Sequence, residues 1–222
     1  MASRAAPPRG WEVPDPFDAR GRPLLYAAPE VVITWETRTT EVAYTFTSRD
    51  GRLLATGHEP DLSAARRAGR VLIGPGRARI RLVCRTEDGA PVFTLAKRAA
   101  YFGLHPTAVM VRSPRDEILG SVALGGADPA RSGYLLRDAD GHDLARVSRP
   151  SGKTRTHVVV DPSGTEVARL TDPLDVGMSD KHALVRLIVQ FRSPPAEPLH
   201  TLLLAAVPGI NFLSGEHIGG DA

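Results

Sequence analysis

The residues able to do chemistry in this 222-residue chain are few and scattered. Cys84 is the only cysteine, so no disulfide, thiolate metal cluster or CxxC redox pair can form within the chain. Ile80, Leu82 and Cys84 share one parity while Arg79, Arg81 and Arg85 share the other. That alternation places the thiol on the inward face of a strand, as a small hydrophobe rather than a nucleophile. The seven histidines (His58, His105, His142, His157, His182, His200 and His217) form no HxH or HExxH pair, which argues against zinc. Asp138, Asp140 and Asp143 crowd one turn, where carboxylates commonly bond to local backbone N–H groups. Asp172, Asp175 and Asp180 lie close together but fall short of the roughly six to eight oxygens a Ca²⁺ ion collects. There is no GxSxG elbow, and Gly74-Pro-Gly76 lacks the GK[ST] of a phosphate loop. The expectation is a protein without catalytic residues, bound metal or cofactor.

Arginine offers the more plausible chemistry. Arg146, Arg149, Lys153 and Arg155 lie near one bend, and Arg77, Arg79, Arg81 and Arg85 project from one strand. Either set can donate charge-assisted hydrogen bonds to phosphate oxygens. The alternative is a solvated basic surface. The net charge of +3 against 28 basic and 25 acidic residues, with a pI near 9.3, permits anionic partners without demanding them. Nucleic acid is disfavoured, because only 5% of residues are aromatic and base stacking needs exposed rings.

The elements that must position these side chains read as strands. An alternating apolar run, a turn containing Asp-Gly or a substitute, and a second apolar run recur over residues 42–57, 80–98, 108–124, 134–150 and 157–173. Asp-Gly accepts the positive φ angles of a tight hairpin, so each unit is predicted to be a β-hairpin. With further strands near residues 31–35 and 183–191, about twelve strands result, too many for a flat open sheet. Closure into a barrel removes the exposed edges. A short polar helix capped by Asp61 is predicted over residues 59–68, after the first hairpin.

The apolar stretch LHTLLLAAVPGINFL, residues 199–213, follows this array and has no polar face. A helix apolar all round must be enclosed by lipid or by its own protein. Fifteen residues make roughly 22 Å of helix, short of the roughly 30 Å that a bilayer core demands, and Pro208-Gly209 interrupts the run. The prediction is a central helix over about residues 198–213, with Pro198 in its first turn. Leu199, Leu202, Leu203, Leu204, Val207, Ile210, Phe212 and Leu213 then fill a lumen too wide for the barrel's own side chains.

In this combination and order of elements, residues 24–213 resemble the tubby C-terminal-like superfamily, and within it the phospholipid scramblase and LURP-one-related families. The resemblance rests on the serial hairpins, such as those over residues 80–95 and 108–119, on the polar helix after the first hairpin and on the apolar C-terminal helix. It implies a closed twelve-stranded antiparallel barrel around one hydrophobic helix, with roles in lipid or phosphoinositide contact. Calcium-activated scrambling does not carry over, because the segment before the helix has no Glu closing an acidic loop and no cysteine-rich lipidation segment is present.

The expected organisation is a flexible arm rich in proline and arginine at 1–23, a barrel domain at 24–214 and a flexible tail at 215–222. No apolar run of signal-peptide length precedes the barrel. The expected location is cytoplasmic, at most peripheral to a membrane, with no transmembrane span. Function is expected to be binding without catalysis, either of an anionic membrane surface or of a protein partner as an interaction or regulatory scaffold.

Overall fold

The hairpins are built by one repeated turn. In the computed structural model, which describes residues 23–38, 41–60, 79–98, 107–126, 133–148, 156–172 and 185–214, turns at Ser48, Thr86, Ser113, Asp138 and Asp161 share one backbone pattern. The N–H of the first turn residue donates to the carbonyl four residues on, and the fourth residue's N–H donates back to the first residue's carbonyl. Only the fourth residue has positive φ: Gly51, Gly89, Gly141 and Gly164 at 85–90°, and Asp116 at 65°. Each turn is followed by a register shift of one residue, so these are bulged turns rather than the symmetric two-residue kind that Asp-Gly suggests. At Ser48, Ser113, Asp138 and Asp161 the side-chain oxygen also accepts the N–H of the fifth residue, at 2.8–3.2 Å.

Asp116 alone occupies the left-handed position without being glycine, a conformation costing an L-residue about 1 kcal/mol. Its exposed contact with Arg112, 3.5 Å, returns less than that. Asp116→Gly is therefore expected to stabilise the protein by about 0.5–1 kcal/mol, a rise of about 1–4 °C in Tm measured by thermal unfolding.

Twelve antiparallel strands follow in sequence order and close on themselves: β1 (Glu30–Arg38), β2 (Glu41–Thr47), β3 (Leu53–His58), β4 (Ile80–Arg85), β5 (Pro91–Lys97), β6 (Ala108–Arg112), β7 (Ile118–Leu124), β8 (Tyr134–Asp138), β9 (Asp143–Val147), β10 (Thr156–Val160), β11 (Glu166–Thr171) and β12 (Val185–Phe191). β1 pairs with β12 from Glu30 opposite Gln190 to Trp35 opposite Val185, which completes the barrel. The five bulged turns ring one end. The predicted polar helix at 59–68 falls almost wholly outside the described residues, as do the arm and the tail.

One helix, α1 (Leu199–Ser214), fills the lumen. It enters at the end ringed by the bulged turns, beside the start of β1 and the end of β12. Leu202, Leu203, Leu204, Ala205, Ala206 and Val207 are each no more than 1% exposed, and Phe212 is equally enclosed by the inward faces of the strands. Leu199, Ile210 and Leu213 are half-buried against the same core. The helix continues through Pro208 rather than breaking there. Gly209 explains its fit: a methyl group at that position would lie 2.9 Å from Val122 Cγ2, so only glycine lets the helix lie this close to β7. Pro198 precedes the first turn, and its carbonyl accepts the N–H of Leu202 at 3.0 Å.

Charged groups satisfy both ends of the helix. Glu197 Oε2 accepts the Thr201 hydroxyl at 2.8 Å, and Lys97 Nζ, on a side chain 2% exposed, donates to the Phe212 carbonyl at 2.8 Å. A carboxylate at the N-terminus and an ammonium at the C-terminus each oppose the helix dipole. No described helix is long and apolar enough to cross a membrane.

Candidate functional site

Strand alternation that turns Ile80, Leu82 and Cys84 inward turns Arg81 and Arg85 outward, where both are exposed. Burial pushes the Cys84 thiol well above its ordinary pKa, in keeping with a packed residue rather than a reactive one. Register then aligns the outward residues across three strands. Arg81 lies opposite Ala96, and Ala96 opposite Met110; one step along, Thr94 lies opposite Arg112. Because alanine and threonine are short, the centre of this surface is low and its flanks are high. The result is a groove of about 580 Å³ on the outside of β4–β6, floored by Thr94, Ala96 and Met110.

Arg79 and Arg81 stand on one bank, Arg112 on the other, and Arg98 at the end. Asp116 is the one carboxylate among the described lining residues, and it is engaged with Arg112, whose Nη1 also donates to the Asp116 carbonyl at 2.7 Å. Lys97 belongs to the same wall but sends its ammonium inward to α1. Several guanidiniums around one shallow floor can hold a tetrahedral anion through bidentate hydrogen bonds.

Of the basic residues singled out from sequence, the structure brings Arg79 and Arg81 into this groove. Arg146 is exposed on β9, five strands from β4, and does not join them. Arg77, Arg149, Lys153 and Arg155 lie outside the described residues. Sequence reading missed Arg98 and Arg112, since their place beside Arg79 and Arg81 follows from strand register rather than from spacing along the chain. Arg85 instead donates to the Gly89 carbonyl at 2.9 Å, inside its own turn.

The other described candidates lie outside the lining of this groove. Asp138, Asp140 and His142 form, among the described residues, a group of three with ligand atoms within 4.8 Å of one another. Asp138 Oδ1 is already engaged by the backbone N–H groups of Asp140 (3.0 Å) and His142 (2.8 Å), and Oδ2 by His142 Nδ1 (3.1 Å). Asp143 leaves that cluster and pairs with Arg137 at 2.7 Å. Asp172 is half-buried at the end of β11, while Asp175 and Asp180 fall outside the described residues. His200 is buried at the mouth of the barrel between the rings of Tyr26 (5.2 Å) and Phe191 (4.7 Å). His157 Nδ1 lies 2.7 Å from the Ser148 carbonyl, and His58 is exposed.

Elsewhere on the outer wall one carboxylate holds two guanidiniums. Glu166 accepts from Arg169 Nε and Nη2 at 2.7 and 2.9 Å and from Arg192 Nε at 2.5 Å. The two cations hold its carboxyl at about 2, below the usual 4.5. A carboxyl depressed on folding stabilises the folded state fully above its unfolded value and loses that contribution as pH falls through its folded value. Glu166 is therefore expected to help lower Tm between about pH 4.5 and pH 2. In a pH series of thermal melts, Glu166→Gln should have a flatter profile across that window, lying below the wild type above it and approaching the wild type as pH falls.

No family model matches the chain, and no curated protein matches it. Among solved structures, it is similar to a protein from Arabidopsis thaliana determined by X-ray crystallography, at 18% identity and a TM-score of 0.46, with 81% of this chain and 90% of that chain covered. So distant a likeness assigns neither family nor activity.

Proposed function

We propose that this protein is a non-enzymatic binding module whose barrel exterior recognises the phosphate headgroups of anionic phospholipids through the groove over β4–β6. The observation that carries this reading is the grouping of Arg79, Arg81, Arg98 and Arg112 around a floor of Thr94, Ala96 and Met110, with Asp116 as the one carboxylate among the described lining residues. It accords with the lipid contact implied by the resemblance to the scramblase and LURP-one-related families. In this reading the protein is cytoplasmic and visits the membrane peripherally. α1 stays inside the barrel, and lipid touches only the outer wall.

Co-sedimentation with vesicles tests it directly. Phosphatidylcholine vesicles should leave the protein in the supernatant. Vesicles containing phosphatidylserine or phosphoinositide should carry it down at low salt and release it as salt rises, since each basic residue near such a surface contributes about 1 kcal/mol, screened within a Debye length. Indifference to both lipid charge and salt would remove the lipid reading and leave the protein-scaffold alternative.

A further inference from the structure

A second cavity lies at the barrel end ringed by the bulged turns, and it differs chemically from the arginine groove. It holds about 660 Å³, within the size range of small-molecule sites, between the short helical turn Leu24–Tyr26, the β2–β3 turn and the ends of β11 and β12. Its apolar side is formed by Leu24, Ala28, Leu54 and Phe191, all part of the barrel core or packed against it, so the core itself surfaces here. Its polar side carries Arg49 and Arg52 from the β2–β3 turn and Arg169 and Arg192 from the facing strands.

The charges nearly balance. Glu166, behind the wall, binds both Arg169 and Arg192, so one carboxylate serves two guanidiniums. Asp50 bonds to the Ser48 hydroxyl at the rim, and Glu30 accepts Gln190 Nε2 at 2.9 Å. Among the described residues, four guanidiniums stand against these three carboxylates, one positive charge in excess. A site with an apolar wall, a pre-oriented arginine pair and one unbalanced positive charge fits a monoanion attached to an apolar body, rather than a multiply charged phosphate.

We propose that this cavity binds a small amphiphilic carboxylate, with the carboxylate on Arg192 and Arg169 and the apolar body against Leu24, Ala28, Leu54 and Phe191. The proposal is independent of the headgroup groove, which lies on different strands.

Isothermal titration with decanoate below its aggregation concentration, and with decanol as the uncharged probe, tests it on the full chain. Decanoate should bind one to one, at least about tenfold more tightly than decanol, because a charged hydrogen bond contributes about 1.5–3 kcal/mol. Arg192→Gln should abolish that preference while leaving the weaker apolar binding. Ala28→Phe, which fills the apolar side, should weaken both probes, and thermal melts identify whether either variant has unfolded. Arg79→Glu/Arg81→Glu should leave decanoate binding unchanged, which separates this proposal from the lipid reading. No saturable heat with decanoate, equal affinity for decanol, or full affinity in folded Arg192→Gln and Ala28→Phe would overturn it.

Discussion

Replacing Leu203 by Asp is expected to abolish folding. Leu203 sits in the second turn of α1 and is completely buried by the surrounding strands. Truncating a buried leucine costs about 2–5 kcal/mol, and an ionised carboxylate without a partner adds several more. The total stability of a domain is only about 5–15 kcal/mol, so this one substitution is expected to consume it. The measurements are the soluble fraction on expression and the presence of a cooperative melt. Ile118→Asp provides the comparison, because Ile118 on β7 is 43% exposed and should change stability by no more than about 0.5 kcal/mol. A folded Leu203→Asp variant with the wild-type Tm would mean that the helix is not enclosed in solution.

The double substitution Arg79→Glu/Arg81→Glu is expected to weaken binding to anionic vesicles by at least about thirtyfold. Two positive charges become negative in a groove whose described lining has four guanidiniums and one carboxylate, which turns attraction at this face into repulsion. At about 1 kcal/mol per basic residue near an anionic surface, loss of the two contacts alone is worth about 2 kcal/mol. Both residues are exposed, so Tm should move little. Arg146→Glu changes the net charge in the same direction but lies five strands away, and about threefold or less is expected from it. Equal losses in the two variants would show that net charge, rather than the groove, governs the interaction.

Much of the wall is written in local chemistry. Asp-Gly and its substitutes mark all five hairpins, and the Ile80, Leu82, Cys84 parity assigns the faces of β4 correctly. The enclosed helix follows from its length and the lack of a polar face. The bulges are less visible, because the same Asp-Gly pair serves both symmetric and bulged turns and the chain's twist decides between them. Lys97 shares its parity with Phe93 and Leu95, yet its partner, the Phe212 carbonyl, stands 115 residues away, and no local pattern announces it. The groove is legible on one bank only. Arg79 and Arg81 are two residues apart at the start of β4, while Arg112 reaches them only through two successive strand pairings, β4 with β5 and β5 with β6.

The helix that fills the barrel follows all twelve strands in the chain. During synthesis the wall is made before anything exists for it to enclose. Hairpins joined by local turns can form as they emerge, but inward residues that face the helix, such as Val122 beside Gly209, lack that partner until α1 is made. At about 5–20 residues per second that interval lasts seconds, long compared with the microseconds in which a hairpin forms. Until α1 is made, the apolar face that it covers on β5 to β8 stays exposed, the condition in which a nascent chain is prone to aggregate or to engage chaperones.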